Sequence, residues 1–119
     1  MIAESDYRTA TYFGNGRALD VLWDAWQGSE TQSFDQRRDI FLWILERLLK
    51  EGSVKLHKNG VFLESPIEHQ IEVLRQAWPN SDNPYPNHPD ADFYLWFFDP
   101  ECPAGIAWRR EDGSYEIAD

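Results

Sequence analysis

At 119 residues, with 42% apolar side chains that include six Trp, seven Phe and five Tyr, the chain has material for one hydrophobic core. A domain of this size buries roughly two thirds of its unfolded surface, and this composition excludes an intrinsically disordered chain. The 21 acidic and 11 basic side chains leave a net charge of −10, which repels phosphate backbones and sets aside direct nucleic-acid binding.

The first residues carry Glu4, Asp6 and Arg8 instead of the apolar run of a signal peptide, and no stretch approaches the ~18 apolar residues of a membrane span. A single cysteine, Cys102, rules out an internal disulfide framework and a multi-cysteine zinc site, and fits a reducing compartment. The expectation is one soluble, cytoplasmic domain over residues 1–119. Leu19, Leu22, Trp23 and Trp26 recur at helical spacing between Gly16 and Gly28, predicting a short amphipathic helix with Asp20 and Asp24 on its other face. Ser33 and Gln36 form a capping box ahead of a second helix striped by Phe41, Ile44, Leu45 and Leu48. Arg47 and Lys50 suit its negative end and Gly52 is its stop. Trp43 and Leu49 widen the apolar face, so this helix is expected at the centre of the core.

Val54, Leu56, Val61 and Leu63 flank Asn59-Gly60, a dipeptide that supplies the positive φ angles of a tight turn, so residues 53–64 read as a small hairpin. Ser65 as cap, Pro66 at the first helical position and Glu68 closing a second capping box predict a third helix. Ile67, Ile71, Leu74 and Trp78 form its apolar face and Pro79 ends it. Four prolines between 79 and 92 mark a surface loop. Phe93 to Phe98, apolar throughout, reads as an interior strand. Residues 99–105 make a turn, and Ile106 to Arg110 with Tyr115 to Ala118 flank Asp112-Gly113 as a closing hairpin. The fold class expected is α+β: about three helices packed on a C-terminal antiparallel sheet of three or more strands, plus the hairpin near 53–64.

Sites of chemistry are sparse. His57, His69, His88 and Cys102 lie in a hairpin, a helix, a loop and a turn without ligand-pair spacing, so each His reads as a surface residue and no metal or other cofactor is expected. The acid-rich segment 82–92 lacks the central Gly and terminal Glu of a calcium loop. Asp99 and Glu101 sit close enough to suggest an acid–base pair, which would require a pocket and opposed environments. No phosphate loop follows a strand and no nucleophile elbow is present. The reading is a protein that binds and does not catalyse. Trp23, Trp26, Trp43 and Trp78 are assigned to the core; Trp96 and Trp108, if exposed, would make binding anchors or a sugar-stacking surface.

Charge is uneven along the chain: residues 82–119 carry −7 and residues 1–81 carry −3. Such an imbalance serves solubility, and it also suits electrostatic steering toward a basic partner.

Leu19-Asp20-Val21-Leu22-Trp23, Phe41-Leu42-Trp43-Ile44-Leu45, Asn59-Gly60-Val61-Phe62-Leu63-Glu64, Ala77-Trp78-Pro79, Trp96-Phe97-Phe98-Asp99 and Cys102-Pro103-Ala104-Gly105-Ile106-Ala107-Trp108 form an ordered set. Across nearly the whole chain this set resembles the bacterial domain of unknown function 596 family. The resemblance implies a small bacterial protein of a kind some of whose members look like immunity proteins beside secreted polymorphic or contact-dependent toxins. It carries over no catalytic residue. Joined to the charge pattern, it yields the expectation of an immunity protein that occludes a cognate toxin, a basic domain such as a nuclease. The acids of the C-terminal third, Asp82, Asp90, Asp92, Glu101 and Asp112, with Tyr85, would meet the toxin. The alternatives are a regulatory module with an endogenous protein partner and, less favoured, a metal-dependent hydrolase. The sequence specifies no oligomeric state.

Overall fold

The computed structural model describes residues 4–25, 33–80, 83–87 and 93–118. The chain opens with α1 (Glu4–Gly14), an element that apolar periodicity does not announce. Its buried residues are Tyr7, Ala10 and Gly14, and two of the three are small. The reason lies in α2 (Leu19–Ala25), which crosses α1 so closely that a Cβ on Gly14 would sit 2.6 Å from Leu22 Cδ1 and 3.1 Å from its Cα. The predicted helix around Leu19, Leu22 and Trp23 is therefore present, and Trp26 lies outside the described residues.

Helix α3 (Phe34–Lys50) begins at the expected capping box: Gln36 N–H donates to Ser33 Oγ and Ser33 N–H to Gln36 Oε1. It ends in a Schellman pattern, with Ser53 N–H reaching Leu48 O and Gly52 N–H reaching Leu49 O while Gly52 adopts φ 76°. Phe41, Leu42, Ile44, Leu45, Leu48 and Leu49 are buried. Trp43 departs from the expectation: it is 42% exposed, packed edge-on against Tyr7 beyond the margin of the buried stripe. Ion pairs tie this helix to its neighbours, Arg47 with Glu4 of α1 and Arg75 with Asp39.

Strands β1 (Val54–Lys58) and β2 (Val61–Phe62) form the predicted hairpin, its turn made by Asn59 at φ 54° and Gly60 at φ 85°. Helix α4 (Ile67–Ala77) follows, with a start that differs from the sequence reading. Pro66, at ψ 148°, is itself the N-cap and makes no side-chain cap bond. Ser65 thus falls one position outside the helix, and its carbonyl accepts a hydrogen bond from Gln70 Nε2 instead. Pro79 follows the buried Trp78, as expected.

Phe93–Phe98 is a 3-10 helix and not an interior strand. Phe93 and Trp96 are buried three residues apart, while Leu95 and Phe98 are exposed, which is the period of a 3-10 turn; an all-apolar run hides that period from the sequence. Phe93, Trp96 and Phe97 join Trp23, Phe41 and Trp78 in a cluster of rings with centroids 5.0–6.4 Å apart, linking α2, α3 and the end of α4. Trp96 and Trp108 are both buried, so neither is a surface anchor.

Strands β3 (Gly105–Arg109) and β4 (Tyr115–Ala118) close the chain. The two hairpins, expected as separate units, share one antiparallel sheet of order β2-β1-β3-β4, with Leu56 opposite Ile106 and Val54 opposite Trp108. Val54, Leu56, Ile106 and Trp108 face the helices. The sheet curls so far that Phe62 of β2 and Tyr115 of β4, on opposite edges, bring their rings to 6.2 Å, with Lys55 Nζ 5.3 and 4.6 Å from the two centroids. The fold is α+β: among the described residues, four helices and a 3-10 turn lie against a curled four-stranded sheet.

Candidate functional site

The segment entering β3 is held by several independent bonds. Asp99 N–H donates to Trp96 O, and Cys102 N–H donates to Asp99 O. Asp99 Oδ1 accepts from Glu101 N–H at 2.9 Å, and Oδ2 accepts from Tyr85 Oη–H at 2.8 Å. Lys58 Nζ reaches across from β1 to donate to Pro100 O at 3.2 Å and Cys102 O at 2.7 Å. The buried Cys102 thiol bonds Ala104 O, and burial pushes its pKa up, so it is a packed hydrophobe and not a nucleophile.

These bonds make Asp99 a ridge between two depressions. One, of about 640 Å³, lies between the β1–β2 turn and residues 97–105, with Phe98 and Ile117 at its mouth. The other, of about 360 Å³, is lined by Pro79, Asn80, Asn83, Tyr85, Trp96, Asp99 and Glu101. Bonds from Glu101 N–H and then Tyr85 hold the Asp99 carboxyl below its usual range, so the ridge stays negative. Burial, then the bond to Asp99, raises Tyr85 to about 12, so its phenol stays neutral. Asp99 is thus an acceptor already in use, which suits holding a loop more than transferring a proton.

Of the sequence-nominated residues, the fold brings Tyr85 and Glu101 together through Asp99. Asp112 is elsewhere: residues 99–104 precede β3 and 110–114 follow it, so the two turns are separated by a five-residue strand, roughly 16 Å. Asp112 Oδ1 accepts from both Ser114 N–H and Ser114 Oγ, which lower its pKa and close the hairpin turn. In the same hairpin Glu116 pairs with Arg110. Asp82, Asp90 and Asp92 lie outside the described residues, as does His88. His57 corrects the surface reading: it is buried, its Nδ1 accepts from Gly60 N–H, and Gly105 opposite leaves the space its ring occupies. Among the described residues no three His, Cys, Asp or Glu side chains converge on a point that would hold a metal.

Sequence reasoning missed Phe98 and Lys58. Phe98, 58% exposed beside the negative ridge, was hidden as the last letter of an apolar run. Its place just before Asp99-Pro100, where the run must leave the core, was the available signal. The grip of Lys58 on carbonyls more than 40 positions away left no local trace.

A curled four-stranded sheet backed by helices, with a negative, aromatic-edged ridge at one end of its third strand, defines a small α+β domain. The chain belongs to the family described as protein of unknown function, DUF596, whose model matches residues 49–117. That span holds the ridge and all of the sheet but the last residue of β4, and it is narrower than the resemblance read from the sequence. Likeness of fold extends further: an uncharacterized protein conserved in bacteria, from Neisseria meningitidis, superposes with a TM-score of 0.75 at 27% identity, over 94% of this chain and 83% of that one. No curated protein matches the chain. Among the described residues no helix is long and apolar enough to cross a membrane.

Proposed function

We propose that this protein is a cytoplasmic immunity protein that binds a basic bacterial toxin domain and blocks its active site, without catalysis of its own. The observation that carries the proposal is the pairing, at one place, of exposed Phe98 with the negative Asp99 and the exposed Glu101. An aromatic side chain ringed by charge is the composition of an interface hot spot, the ring setting the dissociation rate and the acids the approach of a cationic partner. The net charge of −10 extends the same attraction over the whole molecule.

The test has two stages. Immobilised protein is used to capture a chain from extracts of the bacterium of origin, and that chain is then expressed with and without this protein. The proposal expects the captured chain to be basic and toxic alone, and harmless in company. A captured partner that is not toxic would replace the proposal with the regulatory-module reading.

A further inference from the structure

The opposite end of β3 carries a surface of different character, made by residues outside the ridge. A groove of about 570 Å³ runs between α1 and the sheet, lined among others by Arg8, Tyr12, Asn15, Glu51, Trp108 and Arg109. The one carboxylate in this lining is already engaged: Glu51 Oε2 accepts from Tyr7 Oη–H at 2.9 Å and Oε1 from Arg47 Nε at 2.9 Å. Among the described residues, arginine ion pairs are made by Arg8, Arg38, Arg47, Arg75 and Arg110, while Arg17, Arg37 and Arg109 make none, and of these three Arg109 lines the groove. The pair made by Arg8 is loose, 3.9 Å to Glu4, whose carboxylate Arg47 holds at 2.6 Å. Two exposed guanidinium groups thus border one groove in a chain that is otherwise strongly acidic.

Tyr12, 79% exposed, lines the groove beside them, and Phe13, 63% exposed and outside the lining, packs edge to face on its ring with centroids 5.0 Å apart. Burying such rings on contact is favourable, and Tyr and Arg are the residue types that most often dominate contact energies. Neither ring is needed for the core, where α1 contributes Tyr7, Ala10 and Gly14.

We propose that this groove binds an acidic, aromatic-bearing segment of a partner protein, with carboxylates against Arg8 and Arg109 and an apolar side chain against Tyr12, whose ring Phe13 backs. Charge complementarity selects the occupant. An acidic segment meets two guanidinium groups here and is repelled by the net charge of the molecule as a whole, whereas a basic one meets two cations. A compact polyanion would be drawn by the same two arginines but would leave the rings uncovered, while a peptide spreads both kinds of group along the groove.

The test uses the full chain, ¹⁵N-labelled, titrated with a blocked peptide of acidic residues flanking a phenylalanine, with its lysine-for-acid counterpart, and with inorganic phosphate. The expected result is movement of the Trp108 indole resonance and of the Arg8, Tyr12 and Asn15 amides by the acidic peptide alone. Arg8→Ala combined with Arg109→Ala should weaken that binding by about tenfold or more, and the charge-keeping pair Arg8→Lys with Arg109→Lys should recover part of it. Lys50→Ala, away from the groove lining, should leave it unchanged. The proposal is overturned by silence of the groove resonances at millimolar peptide, by equal binding of the lysine counterpart, or by phosphate binding as tightly as the peptide. Dimerisation of the chain that the arginine substitutions abolish would overturn it too, since the occupant would then be a second copy.

Discussion

The two ends of β3 are built alike and present opposite surfaces. At each end a tyrosine hydroxyl is donated to a carboxylate, Tyr85 to Asp99 at the start and Tyr7 to Glu51 near the finish, and at each end a basic side chain clamps the result, Lys58 on two carbonyls and Arg47 on Glu51 and Glu4. At the start the bonds fix a turn whose outward groups are Phe98, Asp99 and Glu101; at the finish they engage Glu51 and leave Arg8 and Arg109 outward, with the exposed Glu111 and Asp112 in the turn that follows. Net charge alone therefore describes this molecule poorly, because five residues of strand separate the turn that carries Asp99 and Glu101 from the groove bordered by Arg8 and Arg109.

The largest effect should come from steric closure at the ridge end. A Cβ at Gly105 would lie 2.8 Å from His57 Nε2, and His57 is buried, so Gly105→Ala should cost about 1–3 kcal/mol in chemical denaturation. An unchanged midpoint would mean that the wall of the larger depression yields, and that the two ends differ in rigidity. Lys58→Met should cost less, roughly 1 kcal/mol, since its bonds are partly exposed, but it should speed hydrogen exchange of the Glu101 and Cys102 amides while leaving the Trp108 end protected. Loss of protection at both ends would show one cooperative unit in place of two separately fastened turns.

Tyr85→Phe should raise the Asp99 pKa toward the ordinary value near 3.9, measurable by carboxyl carbon NMR. The sign follows from the depressed value: the Tyr85–Asp99 tether contributes fully above the ordinary pKa and is lost as pH falls through the lowered one. The smallest effect is alkaline. Tyr7 and Tyr85 are each pushed up to about 12, burial first and the bonded carboxylate next, so their contributions persist below about 10 and vanish as pH rises through 12. Absorbance titration should show a late tyrosinate component that shrinks in Tyr7→Phe and again in Tyr85→Phe; a titration complete by pH 11 would contradict both tethers.

What the sequence made legible was what short-range chemistry decides. Ser33 and Gln36 find each other within one turn, Asn59-Gly60 permits the positive φ values that β1 and β2 need, and Gly52 can end a helix, so each was readable from neighbours alone. Tertiary packing decided the rest. Nothing local marks α1, because its inward residues Ala10 and Gly14 are selected by the closeness of α2 and not by hydrophobicity. Phe93–Phe98 is apolar at every position, so alternation and threefold periodicity look the same until the ring cluster chooses which side chains to bury. At the ridge, Tyr85 and Glu101 were nominated for charge and exposure, but their meeting through Asp99, and the removal of Asp112 to the far end of β3, depend on a fold that joins the two hairpins into one sheet.

The claim that the ridge is a docking surface for a basic protein is tested most directly by the association rate between this chain and the captured toxin domain, followed by stopped-flow fluorescence across a salt series. The account predicts a rate that drops steeply as salt rises, a lower and flatter rate for Glu101→Lys, and a faster dissociation for Phe98→Ser with association little changed. Rates indifferent to salt, with neither substitution altering capture, would contradict it.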